Sequence, residues 1–108
     1  MATITPQALA TQIEEGHAPL VLDVRSQAEF DQGHVPGAIH IPFWKVGIEA
    51  EHIPAAVADP VVIYCGHGPR AWIAGAALRR RGFERVVYLA GHMAEWRKAG
   101  LPEEHGRK

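Results

Sequence analysis

Cys65 is the only cysteine in the chain, and it opens the segment Cys65-Gly66-His67-Gly68-Pro69-Arg70. Two of the three residues after it are glycines, which free the backbone to curl until successive amides point inward as a nest for negative charge. A thiolate in such a nest, at the start of a helix, titrates below the free-cysteine value of about 8.5. Arg70 adds a fixed positive charge with planar, forked donors suited to an oxyanion. The chemistry these types and spacings support is attack by a sulfur nucleophile in a pocket that accepts anions. The alternative for a lone cysteine at a strand end is a small packing hydrophobe. A packing cysteine needs neither the glycines nor the arginine.

The elements that would position this segment follow from pattern. Val61-Val62-Ile63-Tyr64 reads as a buried strand running directly into Cys65. From Arg70 a helix follows, with Ile73, Ala77 and Leu78 as its apolar stripe, cations Arg79, Arg80 and Arg81 at its negative end, and Gly82 closing it. In open parallel α/β sheets ligands bind beyond the carboxyl ends of strands, which is where Cys65 falls. Upstream, Thr5-Pro6 is an N-cap followed by proline in the first helical position, and the helix carries Leu9 and Ile13 as far as Gly16. Pro19 to Val24 is a second buried strand. Ser26-Gln27-Ala28-Glu29 has capping-box spacing, opening a brief helix that Gly33 and Pro36-Gly37 break. Ala38 to Ile41 is a weaker strand, and Phe43 to Asp59 reads as a lid-like loop with a helical turn or two. Val86 to Leu89 is a further strand, and Gly91 opens a last helix through Trp96 to Ala99. Strands alternating with helices predict an α/β fold, with a parallel sheet covered on both faces.

Composition narrows the setting. The 108 residues fit a single domain, residues 1–108, without repeats or linkers. A net charge of −1 creates no field to draw in nucleic acid or an anionic membrane. The Arg79–Arg81 run is read as a solvated helix end, not a nucleic-acid patch. One cysteine cannot staple the fold, which favours a reducing, cytoplasmic setting. The segment Met1 to Pro6 has neither the basic stretch nor the apolar core of a secretory signal. No apolar run approaches the roughly 20 residues of a membrane helix.

Three segments resemble the rhodanese family of sulfurtransferases. Leu22-Asp23-Val24-Arg25, Glu29-Phe30 and Gly33 to Pro42 resemble its N-terminal signature; Cys65 to Arg70 is similar to its Cys-x-x-Gly-x-Arg loop; Leu89-Ala90-Gly91 with Trp96, Gly100 and Pro102 resembles its C-terminal signature. The resemblance implies a three-layer α/β/α fold around a five-stranded parallel sheet. It also implies a cycle in which Cys65 takes the outer sulfur of thiosulfate or a persulfide donor and passes it to cyanide or another thiophilic acceptor. Gly66, His67, Gly68, Pro69 and Arg70 would then bind the anionic donor. A carrier that relays persulfide sulfur between protein partners, without turnover, needs the same loop and stays open as the alternative. An inactive interaction domain of this family is a weaker one, since such domains tend to lack the cysteine. Phosphatases and arsenate reductases related to this fold resemble Cys-x5-Arg instead; here four residues separate Cys65 from Arg70, and the shorter ring resembles the sulfurtransferase form, wrapped around a single sulfur.

Two departures stand out. The family's C-terminal signature usually has a second glycine and then an aromatic residue, where this chain has His92 and Met93, and a serine is common where Ala71 stands. The first departure places His92 near the pocket mouth. His67 is open between donating to the substrate and facing solvent. Asp23, Arg25 and Glu29 are read as a structural polar network under the sheet's end. Trp44 is a candidate wall of the pocket, and Trp72 and Trp96 are packing residues. His34 and His40 lack the thiolate or carboxylates that would complete a metal site, so neither metal nor cofactor is expected.

Overall fold

The computed structural model describes residues 2–106, so Met1 of the N-terminal reading lies outside it. Five strands form one parallel sheet: β1 (Thr3–Ile4), β2 (Leu20–Asp23), β3 (Ile39–His40), β4 (Pro60–Tyr64) and β5 (Arg85–Leu89), in the spatial order β1-β5-β4-β2-β3. Its helices are α1 (Pro6–Glu14), α2 (Gln27–Gln32), α3 (Val46–Glu49), α4 (Pro69–Arg80) and α5 (His92–Lys98). Two short 3-10 turns, Phe43–Lys45 and Ala50–His52, flank α3. No helix of the described residues is long and apolar enough to cross a membrane.

Alternation along the strands splits the core in two, as the period of two requires. Leu22, Val61 and Ile63 face one side with Ala71, Ala74 and Leu78 of α4 and Val46 of α3. Val21, Val62 and Tyr64 face the other with Leu9 of α1, Phe30 of α2 and Met93 and Trp96 of α5. The helices that follow β2 and β4 therefore leave to opposite faces, and a crevice opens between the carboxyl ends of these neighbouring strands. Asp23 and Cys65 stand at its two sides.

Three local readings change. The strand β1 was not foreseen; two residues are too few for any period, and it forms by pairing with β5, Thr3 opposite Tyr88 and Ile4 opposite Leu89. The α4 stripe is Ala71, Ala74, Gly75 and Leu78. Ile73, assigned to it from sequence, is 54% exposed, because Pro69 and the sheet set the rotation of the helix around the smaller residues. Gly75 explains that choice: a β-carbon there would collide with the Tyr88 hydroxyl, so a small residue lets α4 lie close on β5. Finally, Trp72 is half-exposed, whereas Trp96 is buried as expected and donates its indole N–H to the Pro102 carbonyl at 2.9 Å.

Candidate active site

Cys65 follows β4 at the centre of the sheet and is fully buried. Gly68 caps α4 with φ 139°, and Pro69 takes the first helical position. This sharp reversal brings the Gly68 amide back over the cysteine, where it donates to Sγ at 2.9 Å. A β-carbon on Gly68 would press to 3.1 Å from the Trp72 ring, so the half-exposed tryptophan lies against the loop. The loop is also held from behind. The amides of Met93 and Ala94, in the first turn of α5, donate to the carbonyls of Cys65 at 3.0 Å and Gly66 at 3.2 Å. The Cys65 amide donates to His92 Nδ1 at 3.2 Å. His92 is thus buried beneath the cysteine backbone, not at the pocket mouth.

Arg70 closes the outer side. Its Nη1 and Nη2 donate to Glu29 Oε1 at 2.7 Å and Oε2 at 3.1 Å, a forked pair between α4 and α2 across the crevice. The guanidinium leans over the loop: a β-carbon on Gly66 would stand 3.2 Å from Nη2. Glu29 is itself fixed by the capping box foreseen from sequence, accepting from the Ser26 amide at 3.0 Å and hydroxyl at 2.9 Å. Arg70 and Ser26 together hold the Glu29 carboxyl down to about 2 against the opposing effect of burial. The bond to Glu29 raises Arg70 above its ordinary value, with the charges of Glu29, Cys65 and Asp23 adding to it. His67 is exposed.

The expected network of Asp23, Arg25 and Glu29 divides. Glu29 belongs to the loop's arginine. Asp23 and Arg25 form a buried unit, with Arg25 Nη2 donating to Asp23 Oδ2 at 2.7 Å and Nε to Oδ1 at 3.0 Å. Sequence reasoning missed its third member, Tyr64. The Tyr64 hydroxyl donates to Asp23 Oδ2 at 2.7 Å and accepts from the Val35 amide at 3.0 Å. Burial, then the neighbouring Asp23 charge, pushes this phenol above its ordinary value. The signal was present: a tyrosine ending a buried strand needs a partner for its hydroxyl, and Asp23 is its register partner on β2. His34 stacks on Phe30 with ring centroids 3.7 Å apart and bonds through Nδ1 to the Phe30 carbonyl. His40 Nε2 meets the Arg25 carbonyl at 2.7 Å. Among the described residues no cluster of histidine, cysteine and carboxylates could hold a metal. Trp44 is 63% exposed, with the Lys45 ammonium 5.2 Å from its ring.

The rhodanese-like domain matches residues 5–99 of the sequence. The chain belongs to the rhodanese-like sulfurtransferase family. This rhodanese-like chain is 34% identical over 99 residues to a sulfurtransferase of Allochromatium vinosum, covering 92% of itself and 91% of that relative. It is 37% identical over 95 residues to the thiosulfate sulfurtransferase GlpE of Pseudomonas fluorescens, covering 87% and 83%. Several further curated relatives are longer, and the chain spans about half of their length. The fold is that of the Alr3790 protein from Anabaena sp., whose crystal structure superposes with a TM-score of 0.85 at 26% identity, over 97% of this chain and 94% of that one.

Proposed function

We propose that the protein transfers sulfane sulfur through a persulfide on Cys65, with thiosulfate as donor and a thiophile such as cyanide as acceptor. The observation that carries this reading is the loop itself. A single sulfur sits under the Gly68 amide, backed by a second layer of bonds from α5, with a guanidinium poised above it. The Cys65 thiolate attacks the outer sulfur of thiosulfate, the S–S bond of the donor breaks, and sulfite leaves with the bonding pair. The new persulfide keeps the negative charge on its terminal sulfur, beside the loop whose Gly68 amide donates to Sγ. Cyanide carbon then attacks that sulfur, thiocyanate forms, and the pair returns to Cys65 as thiolate. Each step is a displacement at sulfur, so no external oxidant, reductant or strong general acid is required, and one difficult transfer is split into two.

Arg70 has the charge and planarity to receive the sulfonate end of thiosulfate. Cys65 is fully buried and Arg70 is one-third exposed, so in this reading the donor's sulfonate meets Arg70 first. Four residues between Cys65 and Arg70 favour a ring around one sulfur over the wider cradle of a phosphatase. Purified protein given thiosulfate and cyanide should form thiocyanate over many turnovers, and Cys65→Ser should abolish it. One loading without turnover would point to the persulfide relay. Brisk hydrolysis of an aryl phosphate would overturn the reading.

A further inference from the structure

His92 takes no part in the transfer described above, yet it occupies a backbone conformation that few side chains tolerate. Its φ of 56° is left-handed, and no other non-glycine among the described residues has a positive φ. Strain of this kind persists where the surroundings hold it in place and tends to gather at functional sites. Here it turns the imidazole under the loop. An amide can only donate, so the Cys65 N–H at 3.2 Å requires a lone pair on Nδ1, and the neutral ring carries its proton on Nε2. Nε2 lies beside Gly68, where a β-carbon would stand 3.5 Å from it. Gly68 is the residue whose amide reaches the sulfur. The ring thus spans the back of the loop from the Cys65 amide to Gly68. The other bonds from α5 to the loop come from backbone amides, so the imidazole bond is the one of these that titrates.

We infer that His92 is a positioning residue for Cys65, holding the cysteine amide, and through it the Gly68–sulfur contact, only while the ring is neutral. Protonation puts a hydrogen on Nδ1 facing the Cys65 N–H, two donors meet, and the bond is lost. From the loop the Cys65 amide meets the ring and His67 acts on it through its charge; Arg70 leans over Gly66 beyond them, and on its own helix Glu95 packs against Gly91. Burial and the charge of His67 lower the ring's affinity for a proton, so the neutral form prevails at neutral pH and sulfur loading weakens only on acidification.

This inference rests on Cys65 being the sulfur-loading residue, and two variants test it. Glycine suits a left-handed backbone, so His92→Gly removes the acceptor without adding strain. Asparagine tolerates the same conformation, and its Oδ1 can accept the Cys65 amide as Nδ1 does without titrating. Loading from thiosulfate, followed by intact mass from about pH 5 to 8, should be roughly 3–10-fold slower in His92→Gly at neutral pH. His92→Asn should recover most of that loss, and both variants should lose the part of the wild-type pH dependence that follows the ring. The Cys65 amide resonance should shift with the ring's titration in the wild type and hold still over that range in His92→Asn. A His92→Gly protein with wild-type rate and pH profile would overturn the inference. So would a His92→Asn protein as slow as His92→Gly, or a wild-type amide resonance indifferent to acid. If the wild type takes up no sulfur at all, the proposed function fails by itself, and the amide resonance still decides the role of His92.

Discussion

Glu29→Gln separates the two effects that a carboxylate beside Arg70 can have. Glutamine keeps an oxygen for the capping box and nearly the same shape, so the change falls on the ion pair. Glu29 drops from an ordinary 4.5 to about 2 in the folded chain, which would correspond to about 3 kcal/mol if unscreened. Arg70 and Glu29 are 33% and 37% exposed, and screening at that exposure reduces the contribution to about 1 kcal/mol. A depressed folded-state pKa stabilises above the unfolded value and stops doing so as pH falls through the folded one. The urea midpoint of the variant should therefore lie below wild type at neutral pH, and the gap should close between pH 4.5 and about 2. On activity the two effects oppose each other. Removing a negative charge strengthens the pull of Arg70 on an anion by about 1 kcal/mol at 4 Å in water. Releasing the guanidinium from its forked hold misplaces it, and 1 Å of misplacement costs up to about a hundredfold, or about 2.7 kcal/mol. Orientation wins, so kcat/KM for thiosulfate should fall about tenfold. Because Glu29 acts through Arg70, the double variant Glu29→Gln/Arg70→Lys should fall little further than Arg70→Lys alone. A variant that binds thiosulfate more tightly and turns over faster would show that charge outweighs orientation at Arg70, and a stability gap that persists unchanged to about pH 2 would show that the ion pair is not its source.

Other variants probe the supports. Arg70→Lys keeps the charge but gives Glu29 and the substrate a single point donor, so KM for thiosulfate should rise about tenfold in initial-rate assays. Asp23→Asn leaves the buried Arg25 guanidinium without its counter-charge, and denaturant unfolding should show a loss of about 3–5 kcal/mol. Tyr64→Phe strands the Val35 amide and one oxygen lone pair of Asp23, a loss of about 1–3 kcal/mol in the same measurement. Gly75→Ala gains helix propensity but forces α4 off Tyr88, and overpacking of about 1–3 kcal/mol should outweigh a propensity gain of about 1 kcal/mol.

Much of this architecture was legible because the signals were local. The capping box at Ser26 and Glu29, the proline entry to α1 and the buried runs of β2 and β4 each rest on contacts within a few residues. Two helices and a strand end then sufficed to place Cys65 beyond the sheet. What was not legible depends on distant partners. A two-residue β1 exists only because β5 offers its edge, and the stripe of α4 was set by its packing on the sheet, with Gly75 against Tyr88 of β5. Glu29 read as a cap and is one, but its pairing with Arg70 required knowing that α2 and α4 leave β2 and β4 toward opposite faces and meet over the crevice. Tyr64 and Asp23 were each visible as residues, and only strand register joined them. His92 stood out in sequence as a departure from the family pattern; its place beneath Cys65 follows from a left-handed turn that no periodicity announces.

Whether Cys65 carries the sulfur in transit can be read from the mass of the intact protein. Wild-type protein incubated with thiosulfate and freed of small molecules should gain the mass of one sulfur atom, lose it on addition of cyanide, and release an equal amount of thiocyanate. Cys65→Ser should gain nothing. A wild-type mass unchanged by thiosulfate, or a sulfur adduct that survives in Cys65→Ser, would show that Cys65 is not the carrier.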